Sequence, residues 1–186
     1  IEIPGKGYVI AVPYTHKRNL PEGFFQDLLD LVSERNQQDL PVVLTAHTTI
    51  SGCDFSGHDN SSEYVVGGID SLDIKQLGDG YDYLALGHIH HAQFIHTGKH
   101  NVRYSGTPIA ISFDEQYAHS VSMVKIDRHG DTPKLDTIEI ENPHPLVTLP
   151  TEGSASWEDA KQLLSSFPSD NPAYIRLNVE IEDFLP

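Results

Sequence analysis

Three histidines stand where apolar runs give way to loops. His47 follows Pro41 to Ala46 (PVVLTA), and His88 and His90 follow Tyr81 to Leu86 (YDYLAL) just after Gly87. Neutral imidazole is the commonest metal-binding side chain, and it suits first-row ions such as Mn, Fe, Co or Zn. In an extended backbone, residues i and i+2 project to the same side, so His88 and His90 can face one site. On a helix they would point apart. Gly87 frees the backbone to turn as the strand ends. The pair admits two readings, a metal site or a coincidence of strand-end imidazoles. His47 taken alone reads as a structural or surface residue. His91 adjoins the pair, where it is either a substrate contact or a rim residue.

The chain has 11 histidines. His58, His96, His100, His129 and His144 lie in turn-like or polar contexts and read as solvated. His16 and His119 are undecided between the two roles. Carboxylates are the deficit. A dinuclear hydrolytic site needs a bridging carboxylate and open positions for water, yet no Asp or Glu flanks His47 or His90 in a ligand arrangement. Asp82, inside an apolar run, reads as structural. Asp54, Asp59 and Glu63 lie in a long polar loop from which they could reach a site. On its residues alone the metal centre is half built.

The elements that must carry these side chains follow from hydrophobic pattern. Gly7 to Tyr14 (GYVIAVPY) and PVVLTA are continuous apolar runs, the mark of strands buried on both faces. Between them Leu20-Pro21-Glu22 opens a helix whose stripe is Phe24, Phe25, Leu28, Leu29 and Val32. Thr48 to Gly80 is long and Gly/Ser/Asp-rich, with a short strand at Tyr64 to Val66 and a helical turn from Leu72. YDYLAL is the third core strand. Shorter strands are expected at Gln93–His96, Val102–Tyr104, Ile109–Phe113, His119–Asp127 and Thr137–Glu141. Val121, Met123, Val124 and Ile126 suggest that the His119–Asp127 strand is apolar on both faces. Asn142-Pro143-His144-Pro145 reads as a linker. Beyond it a strand, a helix opened near Ser156 and a strand from Tyr174 make a βαβ appendage. The fold class is α/β.

With 12 Lys and Arg against 27 Asp and Glu, the formal charge is −15. That excludes a protein which coats nucleic acid by general attraction. The 186 residues suffice for one domain, or one with a small appendage. No apolar run approaches the ~18–20 residues of a membrane span. Cys53 is the single cysteine, which excludes an intramolecular disulfide and a cysteine zinc cluster and favours a reducing, cytoplasmic setting. The opening at Ile1 has no signal-peptide pattern, and both ends read as those of a piece of a longer protein.

The segment Tyr81 to His90 resembles the last motif of the calcineurin-like metallophosphoesterases, a Gly-His-x-His at a strand end. The run Val102-Arg103-Tyr104-Ser105-Gly106-Thr107-Pro108-Ile109-Ala110-Ile111-Ser112-Phe113-Asp114-Glu115 narrows the likeness to the SbcD exonuclease branch, the bacterial relatives of Mre11. Leu44-Thr45-Ala46-His47, then Gly52, Ser62-Glu63 and Gly67-Gly68, fits that family's preceding motif. The resemblance covers about residues 7–127. It implies the second half of a calcineurin-like α/β/β/α sandwich over 1–142, with 143–186 starting a capping, DNA-binding domain.

The resemblance further implies two divalent ions, Mn²⁺ by preference, with His47 and His88 on one and His90 on the other. The implied reaction is hydrolysis of DNA phosphodiesters at duplex ends and hairpins, in repair and recombination. The implied partners are DNA and an SbcC-like SMC ATPase subunit, within a nucleoid-associated homodimer and without a membrane. The family's earlier Asp-x-His, Gly-Asp and Gly-Asn-His-Asp motifs are not in this sequence. No catalytic residue is therefore assigned, and the chain alone is expected to have little activity. His91, Arg103, Tyr104 and Ser105 are candidate substrate contacts, the last three alternatively a strand with its turn. Two other functions stay open, a phosphoesterase for nucleotides or phosphoproteins and a non-catalytic docking module.

Overall fold

Strands rich in Val, Ile, Leu and Tyr pair into the centre of the fold. The computed structural model describes residues 1–55, 71–95 and 101–181. The expected Tyr64–Val66 strand, together with His58, Asp59, Glu63, His96 and His100, lies outside them. In chain order the elements are β1 (Glu2–Ile3), β2 (Gly7–Val12), α1 (Phe24–Arg35), β3 (Val42–His47), β4 (Thr49–Ile50), β5 (Ser71–Leu72), β6 (Tyr83–Gly87) and β7 (Gln93–Phe94). They continue with β8 (Val102–Tyr104), β9 (Ser120–Lys125), β10 (Lys134–Glu139), β11 (Leu146–Leu149), α2 (Trp157–Ser166) and β12 (Tyr174–Leu177). The chain is thus α/β. No helix among the described residues is long and apolar enough to cross a membrane.

The main sheet runs β1-β2-β3-β6-β8-β7. Its β2, β3, β6 and β8 are parallel, and β1 and β7 pair antiparallel at the edges. Register stacks Ile10, Leu44, Leu84 and Val102 in one row, and Val12, Ala46, Leu86 and Tyr104 in the next. These rows share one face, and α1 packs its expected stripe onto them through Phe25 and Leu29. Helix α1 starts at Phe24, after Gly23 in the left-handed region at φ 76°.

The opposite face differs from expectation. Val9, Val43, Thr45 and Ala85 are half-buried and Ala11 is exposed, while Tyr83 and Arg103 on the same face are buried, so β2 and β3 are covered fully on one side only. Parallel sheets are otherwise buried on both faces.

Two further strand expectations are corrected. Ile109–Phe113 is a loop, because its backbone is held by a carboxylate: Ile111 N–H donates to Glu115 Oε2 at 3.2 Å. In β9, Val121 and Met123 are exposed, since the β9–β10 hairpin buries one face alone. The appendage is as expected: β11 and β12 pair in parallel around α2, which Ser156 caps by accepting from Asp159 N–H. Arg176 of β12 reaches the Ile109–Glu115 loop, with both terminal nitrogens 3.3 Å from Asp114 Oδ1 and its guanidinium over the Phe113 ring.

Asp82 is the structural carboxylate its context suggested. It accepts from Val42 N–H at 2.7 Å and Gly130 N–H at 2.6 Å, and His129 Nδ1 lies 3.0 Å away. It therefore staples the turn after β9 to the N-terminal end of the sheet. Asp82→Ala leaves two N–H groups unmet and is expected to cost roughly 2 to 4 kcal/mol. This reads out as a lower urea midpoint at unchanged m. Asp82→Asn, which keeps an acceptor, should cost less.

Candidate metal centre

In open α/β sheets, functional groups gather at the carboxyl ends of the strands. Here β3, β6 and β8 deliver His47, Gly87-His88 and Ser105 to one edge. His47 sits in register with Gly87, and Thr48 N–H closes onto the Gly87 carbonyl at 3.3 Å. An added Cβ on Gly87 would lie 3.1 Å from His47 Nδ1, so the missing side chain makes room for the His47 ring.

The backbone turns at once: His88 has φ 103°, a region that non-glycine residues rarely enter and that clusters at functional sites. The turn brings His88 Nδ1 to 3.3 Å from His47 Nε2, with ring centroids 5.1 Å apart. On a tetrahedral zinc ion, for comparison, two imidazole nitrogens at about 2.0–2.1 Å lie about 3.3 Å apart. The pair therefore fits as two ligands of one ion. The set is incomplete, because no group of three or more His, Cys, Asp or Glu among the described residues could hold an ion. Tyr14, exposed beyond the end of β2, lies against both rings, 6.2 Å from His47 and 6.1 Å from His88 by centroid.

His90 does not follow from an extended pair, because β6 ends at Gly87. Buried Ile89 anchors the turn, and His90 Nδ1 meets Glu115 Oε1 at 2.8 Å. Glu115 is 4% exposed. Its Oε2 accepts from Thr107 Oγ1 at 3.3 Å and from Ile111 N–H, and His119 Nε2 lies 3.7 Å away. Thr107 N–H also donates to the His90 carbonyl at 3.0 Å. The approach is close enough that a Cβ on Gly106 would fall 2.6 Å from that carbonyl oxygen.

His91 stands on the rim. Its Nδ1 is 3.2 Å from Asp54 Oδ2, and its ring stacks on Tyr117 at 4.4 Å. Burial, with the Glu115 and Asp54 charges, pushes the Tyr117 hydroxyl up to about 12, which keeps it neutral.

Known proteins are similar to this chain in sequence. The chain is 28% identical to the SbcD subunit of nuclease SbcCD from Escherichia coli (strain K12) over 170 residues, 86% of this chain and 39% of that protein. It is 27% identical to the SbcD subunit of Bacillus subtilis (strain 168) over 212 residues, 100% of this chain and 51% of that protein. The counterpart in Rhodobacter capsulatus is 30% identical over 118 residues, 62% of this chain and 27% of that protein. The chain is SbcD-like. It spans about half or less of the length of these curated relatives, and no family model matches it.

Within this SbcD-like chain the candidate residues fall into two groups. His47 and His88 come together, and His90, His91 and exposed Ser105 leave the sheet at the same edge. Arg103 and Tyr104 take the alternative of a strand with its turn, and both side chains are buried. Arg103 is 7% exposed, donates from Nε to Ser122 Oγ at 3.0 Å and lies over the Phe94 ring. Tyr104 is 0% exposed; its hydroxyl donates to the Thr48 carbonyl at 2.7 Å and accepts from Ile50 N–H at 2.9 Å. Burial holds that hydroxyl protonated far above its usual range. Tyr104 thus pins the loop that follows His47.

Sequence reasoning missed Tyr14 and Glu115. The Ser112-Phe113-Asp114-Glu115 run marked the family, but the partner of its acid is 25 residues away. Gly87→Ala tests the local fit. The His47 imidazole signals should move in NMR spectra while stability falls by less than about 1 kcal/mol. An unchanged His47 signal would contradict the close approach.

Proposed function

We propose that this chain carries the imidazole half of a two-ion centre in an SbcD-like nuclease, and that the assembled protein hydrolyses DNA phosphodiesters. The observation that carries the reading is the convergence of His47 Nε2 and His88 Nδ1 at a strand-end edge of a chain whose relatives are SbcCD subunits. His47 and His88 would hold one ion and His90 the other, with Mn²⁺ the ion expected. When bound, such ions neutralise developing charge on the phosphate and lower the pKa of an attacking water. His91 and Ser105 would meet substrate oxygens at the rim. Tyr14 offers an aromatic face for a terminal base.

The half-exposed face of β2 and β3 supports a further layer over that part of the sheet, as in an α/β/β/α sandwich over 1–142, with 143–186 beginning a cap. The −15 charge means that this part supplies little attraction for DNA. The ions, the rest of the protein and an SbcC-like ATPase partner would supply it, in a homodimeric assembly.

The test is a substrate panel with the chain extended to the length of its relatives. Mn²⁺-dependent degradation of duplex ends and hairpins is the expected result. Turnover of nucleotides or phosphopeptides with intact DNA would replace the reading with a different phosphoesterase. No metal-dependent turnover of any member would leave a docking module.

A further inference from the structure

We infer that Glu115 is the positioning residue of His90, holding its imidazole as the Nδ1–H tautomer so that Nε2 is the nitrogen presented to an ion. The inference rests on the reading of His90 as a ligand and deepens it. Its basis is a built network. The Glu115 side chain is fully buried, and each of its contacts is a donor or a ring nitrogen: His90, Thr107 Oγ1, Ile111 N–H and His119. A buried carboxylate is costly unless its oxygens accept hydrogen bonds. Carboxylate oxygens are acceptors, so the 2.8 Å contact requires the proton on His90 Nδ1.

The backbone is held by the same loop. Thr107 donates to the His90 carbonyl through its N–H and to Glu115 through its hydroxyl, gripping the ligand at both ends. Phe113 and Asp114, the two residues before Glu115, are in turn held by Arg176 of the βαβ unit. A histidine ligand that donates its other ring N–H to a carboxylate is fixed in tautomer and orientation. Loss of such a partner typically costs roughly 10- to 100-fold in metal affinity.

The test uses the metal-free 186-residue chain, ¹⁵N-labelled at histidine and held at about pH 8, where ordinary imidazoles are neutral. Long-range ¹H–¹⁵N spectra read which ring nitrogen of His90 carries the proton, and His90→Gln assigns the signal. The expected result is a protonated Nδ1 and an unprotonated Nε2 in the native chain. Glu115→Gln, which keeps an acceptor of the same shape, should retain the tautomer. It should raise the Mn²⁺ concentration that broadens the His90 signal roughly tenfold. Glu115→Ala should shift the ring toward a mixture of tautomers.

A native chain with the proton on Nε2 overturns the inference, as does a folded Glu115→Ala chain with an unaltered tautomer. Because the first reading needs no variant, a failure of Glu115→Ala to fold does not rescue it. If the tautomer is as stated but Mn²⁺ leaves the His90 signal untouched, the ligand reading fails while the hydrogen bond stands. The two failures are therefore distinct.

Discussion

Replacing His88 with alanine is expected to lower Mn²⁺-dependent DNA cleavage by the relative-length protein at least about 100-fold. Loss of even an outer partner of a metal ligand costs roughly 10- to 100-fold, and the function proposed above makes His88 a ligand itself. Its Nδ1 is one of the two nitrogens that converge at 3.3 Å, so its removal leaves His47 without its neighbour. The backbone separates this loss from a loss of folding. At φ 103° alanine inherits the strain that histidine bore, whereas glycine does not. His88→Gly should be about 1 kcal/mol more stable than His88→Ala and equally inactive. Cleavage of a duplex end, run beside thermal melts, checks both statements. Activity within a few-fold of the parent in either variant would remove His88 from the site.

Gly106→Ala should be the most damaging small change at the edge, costing roughly 2 to 5 kcal/mol. Gly106 has φ 76°, where an L side chain costs about 1 to 2 kcal/mol. The added Cβ would also sit 2.6 Å from the His90 carbonyl oxygen and 2.9 Å from Ala92 N. Those are backbone atoms, and they cannot retreat without loosening the Thr107 N–H bond to His90; overpacking of this kind costs about 1 to 3 kcal/mol. Gly130 provides the control. It has φ 86°, but nothing lies within 4 Å of a Cβ added there. Gly130→Ala should therefore lose only the backbone contribution. Urea midpoints at constant m measure the difference, and equal losses would show that the close approach at Gly106 carries no weight.

The apolar runs around Ile10, Leu44 and Leu84 were legible as core strands because each is a short, uninterrupted stretch of β-formers. The same runs misled about the second face. Val9, Val43 and Thr45 are as apolar or β-branched as a covered face requires, so pattern alone does not reveal that nothing among the described residues buries them fully. His47 and His88 were joined only by the family resemblance, since the residues themselves suggested His88 with His90; the register that places His47 opposite Gly87 is not written in either run.

Arg103 follows the alternative of a strand with its turn: its long side chain lies over Phe94 and its Nε finds Ser122. Tyr104 shares the Leu86 row and so points inward with it. Glu115 was invisible as a partner for His90 because their meeting depends on the Thr107–Glu115 loop, which has no periodicity to betray its path. The short apolar stretch Ile109–Phe113 looked like a strand for the same reason.

The most direct test of the central claim is a Mn²⁺ titration of the ¹⁵N-histidine-labelled chain, followed through all assigned imidazole signals. Paramagnetic broadening falls steeply with distance from the ion. The account predicts that His47, His88 and His90 broaden first, well before His16, His129 and His144. Broadening that begins at His129, which contacts Asp82 and shares a turn with Asp131, with the three strand-end imidazoles still sharp, would contradict it.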